Sequence, residues 1–137
     1  MQLDPTAFLA EPGLLQALDK RATPVVCDDD RVLFRQGDPP VGLYILHKGE
    51  VTITMNAGSD EAEYSCQASG GSVLGLPGLI GKQPYSLTAI AHRGAQVGFI
   101  ARSDFEALMQ SDQPLLLLVL QVLAAEVRSA RLAIAQQ

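Results

Sequence analysis

Val32-Leu33-Phe34-Arg35-Gln36-Gly37-Asp38-Pro39-Pro40-Val41-Gly42-Leu43-Tyr44-Ile45-Leu46-His47-Lys48-Gly49-Glu50-Val51 is the stretch that decides the fold. Two apolar runs are separated by Gly and Pro punctuation and closed by a further glycine, the layout of short strands rather than of helices. Gly37, Gly42 and Gly49 stand at tight turns, which need the positive φ that glycine reaches without a steric penalty. Lys48-Gly49 predicts a tight hairpin between Leu43–His47 and Val51-Thr52-Ile53-Thr54-Met55. In the second run Val51, Ile53 and Met55 share one face and both threonines the other.

The same period continues outward. Tyr64 and Cys66 alternate with Glu63, Ser65 and Gln67; Leu87, Ala89 and Ala91 alternate with Ser86 and Thr88; Ala95, Val97 and Phe99 form a last strand. About six to eight strands at spacings near ten residues predict an all-β sandwich or barrel over residues 23–101. Before it, residues 1–22 read as short helices, with Pro12 suited to a first turn and Leu14, Leu15 and Leu18 on one face. After it, residues 102–137 turn helical. Ser103-Asp104-Phe105-Glu106 has the form of a capping box opening a short helix with Phe105, Leu108 and Met109. A second helix starts around Ser111 to Pro114. Its Leu116, Leu120, Leu123, Val127, Ala130 and Ile134 step by 4, 3, 4, 3, 4. That is the seam of a helix that pairs with another helix, flanked by Glu126, Arg128 and Arg131. We expect one domain over residues 1–137 that forms a homodimer through this helix.

Composition narrows the function. Apolar residues make up 47% of the 137 and charged ones 18%, so a packed core is available and disorder is excluded. Ten Lys and Arg against fifteen Asp and Glu give a net charge of −5, with the basic residues scattered, so no nucleic-acid face is expected. Cys27 and Cys66 make no disulfide framework and read as small core thiols. The opening residues lack a secretory signal, and the apolar run Leu115–Ala125 is shorter than the roughly 18–20 residues of a membrane span. The expectation is a cytoplasmic protein without membrane contact. His47 and His92 are not spaced as a metal-binding pair, and Asp28-Asp29-Asp30 reads as a solvated turn rather than a calcium loop. No nucleophile or nucleotide-hydrolysis motif is present, so neither enzymatic activity nor a cofactor is expected.

The stretch from Val32 to Val51 resembles the cyclic-nucleotide-binding domain family, closest in flavour to sensor halves of the catabolite-activator and FNR type of transcription regulators. The resemblance implies an antiparallel, cupin-like jelly-roll β-barrel flanked by helices, with the last helix as dimer helix. It also implies a phosphate-binding cassette of the form Gly-Glu-x-Ala-Leu-Leu, a spacer, then Pro-Arg-x-Ala-Thr. Here that segment reads Gly75-Leu76-Pro77-Gly78-Leu79-Ile80, then Pro84-Tyr85-Ser86-Leu87-Thr88. Leu76 stands where the family places Glu, Tyr85 where it places Arg, and Pro77 removes a backbone donor. Losing two charge-assisted hydrogen bonds weakens a cyclic nucleotide by roughly 10²–10⁴-fold.

Standard cyclic AMP or cyclic GMP binding is therefore not expected. Lys82, Arg128 and Arg131 are candidate substitute cations, each equally readable as a solvated charge. Two functions remain open. A sensor would show an open pocket beside Leu76 and Tyr85 with Arg128 or Arg131 turned inward, taking an unidentified small molecule. A structural module with a vestigial pocket would show Tyr85 packed into the cavity, and would act on a regulatory protein partner. In the family's regulators a DNA-binding segment follows the last helix; residues 1–137 contain no stretch expected to do that work.

Overall fold

The computed structural model of the chain describes residues 2–57 and 62–135. Among them are eight strands, β1 (Thr23–Val25), β2 (Arg31–Phe34), β3 (Gly42–Lys48), β4 (Val51–Ala57), β5 (Ala62–Ala68), β6 (Ser72–Leu74), β7 (Thr88–Ala91) and β8 (Gln96–Ala101). The helices are α1 (Pro12–Asp19), α2 (Leu76–Gly81), α3 (Arg102–Ser111) and α4 (Gln113–Ala135), preceded by a 3-10 turn at Pro5–Phe8.

The strands form two antiparallel four-stranded sheets in the orders β1-β8-β3-β6 and β2-β7-β4-β5. They match a jelly roll, but the sheets do not close into the expected barrel. Each keeps its own two edge strands, and the stack is a sandwich. Lys48-Gly49 is likewise not a hairpin turn. β3 bonds to β6 and β8, while β4 bonds to β5 and β7, so Lys48 to Glu50 carries the chain from one sheet to the other. Gly49 makes that crossing at φ +93°, where a Cβ would also lie 2.8 Å from Ala95 Cα. Gly42 differs from the positive-φ expectation: a side chain there would collide with the Ile100 carbonyl and the Phe99 ring.

The β1-β8-β3-β6 sheet is the middle layer. On its inner face Leu46, Leu74 and Val97 meet Val51, Ile53, Ala89 and Ala91 of the opposite sheet. On its outer face Leu43, Ile45, Val73 and Ile100 meet Leu14, Leu18, Phe105, Leu108 and Val119 of the helices. Burial on both faces is why β3 reads as a continuous apolar run rather than an alternating one. Each such side chain contributes roughly 1.5–3 kcal/mol by leaving water.

The predicted capping box does not form. β8 runs directly into α3, Arg102 N–H donates to the Val41 carbonyl at 3.1 Å, and Ser103 falls inside the first turn. Glu106 instead pairs with Arg102 at 3.0 Å. Asp112 starts α4 by accepting from Leu115 N–H at 3.0 Å. No described helix is long and apolar enough to cross a membrane.

α4 lies on its own domain through Leu115, Val119, Val122, Glu126, Ser129 and Ala133. The seam expected to pair helices runs one residue further on. Leu116, Leu123 and Ala130 are half-buried along it, while Leu120, Val127 and Ile134 are exposed. Leu117, 62% exposed, and Leu132, 55% exposed, extend this outward apolar surface. The N-terminal segment tucks under the far end of α4: Leu3 N–H donates to the Ser65 carbonyl at 2.9 Å, and Asp4 N–H to Ser129 Oγ at 3.0 Å.

Candidate functional site

The segment from β6 to β7 is where the resemblance implies a ligand cassette, and its side chains turn away from one another. Gly75 caps α2 in the left-handed region at φ +100°, a conformation natural only to glycine. Leu76 and Leu79 are buried in the core beneath the helices, with Leu43 and Ile45. Gly78 is buried too, and a Cβ there would lie 3.0 Å from the Gln83 carbonyl oxygen. Pro77 occupies the first turn of α2, where a backbone N–H would otherwise point outward.

Tyr85 enters the sandwich. Its ring stacks on Phe34 at a centroid distance of 4.2 Å. Its hydroxyl donates to the Gly42 carbonyl at 2.8 Å and accepts from Val41 N–H at 3.0 Å and Gly42 N–H at 3.2 Å. Where the family places a guanidinium, this chain holds a neutral clamp on the start of β3. With Leu76 turned into the core, neither of the two positions presents a charged side chain.

A cavity of about 190 Å³ opens beside this slot, between the sandwich, the N-terminal segment and α4. Of the cassette it takes Pro77 and Ser86; of the expected seam, Val127, Ala130 and Ile134; of the candidate cations, Arg131. Leu3, Phe8, Met55 and Leu87 complete an apolar wall. Leu76 and Tyr85 do not line it. Lys82 is exposed at the end of α2, in the left-handed region at φ 53°, and Arg128 is exposed on the outer side of α4.

Glu126 also lines this cavity, and reading the sequence as a charged flank missed it. It is 5% exposed, and neither carboxyl oxygen has a hydrogen-bond partner among the described residues. Burial holds its pKa well above the usual carboxylate range. The signal was present, since Glu126 falls in the 4, 3, 4, 3, 4 spacing of the buried face, one residue out of phase with the apolar seam.

The other candidates stay apart. Cys27 and Cys66 are free thiols. Burial raises both pKa values, that of Cys66 to about 11. His47 pairs with Asp19 at 3.0 Å on the surface, and His92 meets Thr52 Oγ1. Asp30 accepts from Arg93 N–H at 2.8 Å, which makes it a turn residue. Among the described residues no group of three or more His, Cys, Asp or Glu side chains is arranged to hold a metal ion.

Known structures repeat this architecture. The catabolite activator protein of Thermus thermophilus superposes with a TM-score of 0.67 at 22% identity, over 97% of this chain and 60% of that one. The chain thus spans about three-fifths of that protein's length. The sensor domain of the transcriptional regulator DNR from Pseudomonas aeruginosa gives 0.63 at 24% identity, over 85% and 79% of the two chains. The regulatory domain of Toxoplasma gondii PKA, solved with cAMP, gives 0.63 at 23% identity, over 81% and 44%. These likenesses establish the fold. No curated protein sequence matches the chain significantly. The model of the cyclic nucleotide-binding domain matches residues 24–112, from β1 through α3, and the chain belongs to that family.

Proposed function

We propose that this chain is a non-enzymatic regulatory sensor domain that does not hold cyclic AMP or cyclic GMP in the standard way. It takes another small molecule in the cavity against α4 and signals through a homodimer of α4. Tyr85 carries the reading: its hydroxyl is fully engaged by the β3 backbone and its ring by Phe34, so the cassette has no charge with which to close on a phosphate. The cavity next to it supports the sensing half. Val127 and Arg131 border both that cavity and the exposed groove along α4, so a guest on one side touches residues of the other.

Calorimetric titration with cyclic AMP and cyclic GMP to about 1 mM tests the first half, with no binding expected; dissociation constants near 1 μM overturn it. Sedimentation equilibrium tests the second. A dimer that Val127→Glu splits into folded monomers is expected, and a wild-type chain that stays monomeric overturns it. A structural module with a vestigial pocket draws on the burial of Leu76 and Tyr85, which fill the family's charged positions. It does not account for the open cavity.

A further inference from the structure

One side of the sandwich is open. β1 and β2 are edge strands of the two sheets. The cleft between them, about 360 Å³, is lined by both strands together with Tyr44 of β3 and Phe99 of β8. It shares no lining residue with the cavity against α4. Strand register decides what faces it. Arg31 pairs with Ala91, and Tyr44 with Leu74 and Phe99. Residues opposite one another on a ladder share a face, and Ala91 and Leu74 belong to the core between the sheets. Arg31 and Tyr44 therefore rise from the inner faces, yet Arg31 is exposed and Tyr44 only half-buried. Both stand at the mouth of the cleft, and neither polar end is shut from solvent.

A charged side chain on a core face is uncommon unless it is paired. Asp28, Asp29 and Asp30 directly precede Arg31 in the chain, but it forms no ion pair among the described residues. Its Nη1 donates to the Val26 carbonyl at 3.0 Å, which leaves further guanidinium N–H groups to donate. The Tyr85 hydroxyl is engaged three times, whereas that of Tyr44 makes no hydrogen bond among the described residues. Burial and the Tyr85 phenol push the Tyr44 pKa up and the Arg31 charge pulls it down, so the two groups feel one another in the cleft. The apolar wall is a corner. The Tyr44 and Phe99 rings stand 5.0 Å apart at 52°, with Val25 beside them and Val26, 62% exposed, at the lip.

We propose that this cleft binds a small monocarboxylate carrying one aromatic ring. The Arg31 guanidinium and the Tyr44 hydroxyl hold its carboxylate, and the Tyr44–Phe99 corner packs its ring. The site goes beyond the sensor reading and does not depend on it. A guanidinium matches a carboxylate with parallel N–H donors, and the phenol adds a third. An aromatic guest packs at an angle to the rings of such a corner. The volume sits at the low end of small-molecule sites, about 300–1,000 Å³. Charge sets the valence: Arg31 is the one charged residue among the described residues lining the cleft. One cation beside an acidic turn balances a single negative charge and holds a dianion less well.

NMR titration of the full chain with phenylacetate, phenylacetamide and phenyl phosphate to about 10 mM compares one ring at three charges. The Val25 methyl signals report entry to this cleft. Phenylacetate is expected to move them and to bind at least about tenfold more tightly than the other two. Arg31→Gln should cost phenylacetate about tenfold or more while leaving phenylacetamide unchanged. Tyr44→Phe removes a hydroxyl that no described residue uses, so the fold should be unaffected while phenylacetate affinity falls about threefold to tenfold.

Phenylacetate that leaves the Val25 signals unmoved overturns the proposal. So does either control binding as tightly, or phenylacetate affinity indifferent to Arg31→Gln. If Arg31→Gln fails to fold once the Val26 carbonyl loses its donor, Tyr44→Phe decides, and an unchanged phenylacetate affinity there overturns the proposal.

Discussion

Glu126→Leu should make this protein more stable, and by an amount that grows with pH. In the folded chain burial holds the carboxyl protonated well above its ordinary 4.5. Below that pH the folded and unfolded chains both carry the proton, and the group contributes no pH dependence. Above it the unfolded chain releases the proton while the folded chain keeps it. The folded state then binds more protons than the unfolded one, so stability falls as pH rises. The slope approaches about 1.4 kcal/mol per pH unit until the folded pKa is reached. Leaving a neutral carboxyl unpaired adds about 1–3 kcal/mol that does not depend on pH. Arg131, on the same helix, is the charged residue that lines the same cavity. Urea unfolding of wild type and Glu126→Leu from pH 4.5 to pH 8 measures the difference. The gap should be smallest and constant near the acidic limit and widen steadily as pH rises towards neutrality. A gap that is flat across the range, or a wild type more stable at neutral pH, refutes the burial of an unpaired carboxyl.

Other changes read the remaining geometry. Tyr85→Phe keeps the stack on Phe34 but strands Val41 N–H, Gly42 N–H and the Gly42 carbonyl, so urea unfolding should show a loss of about 1–3 kcal/mol. A loss near zero would mean the hydroxyl clamp is unimportant. Gly42→Ala sets a Cβ against the Ile100 carbonyl and the Phe99 ring, and should lower the melting temperature by several degrees; an unchanged melting temperature contradicts the close approach of β3 and β8. Cys66, with its pKa pushed up to about 11, stays a thiol at pH 8, and iodoacetamide should label it far more slowly than a free cysteine does. Labelling at the free rate would show that the strand opens.

The strands are legible because period-two alternation is a local property, as at Val51, Ile53 and Met55. Which strand bonds to which is not local. The chemistry of Lys48-Gly49 suits a hairpin as well as a crossing, and only the pairing of β3 with β8 settles it. Ser103 carried a capping signal that Arg102 overrode, because its N–H bonds to the distant Val41 carbonyl. At the site, the replacement of two charged positions by Leu76 and Tyr85 is visible in the sequence because the surrounding frame keeps its spacing. Where those side chains turn is set by Phe34, Gly42 and the helices, all far away along the chain. Glu126 escaped because α4 carries two interleaved seams, and only the wholly apolar one stands out by composition.

Those two seams are what tie the cavity to the outer surface of α4. Residues one position apart lie about 100° apart around a helix, so Glu126 faces the domain while Val127 sits at the border between domain and solvent. The border residues Val127, Ala130 and Ile134 form part of the cavity wall. In the proposed sensor, a guest that packs against them would change the cost of rolling α4 about its axis, and rolling it would alter which of Leu120, Val127 and Ile134 face outward. For this to transmit a signal, the guest must prefer one orientation of α4 to another. A tenfold preference corresponds to about 1.4 kcal/mol, which lies within the range of a hydrogen bond made in one orientation and lost in the other. Under the proposed sensor reading, Val127 and Arg131 would carry that preference, because they border both the cavity and the outward groove of the same helix.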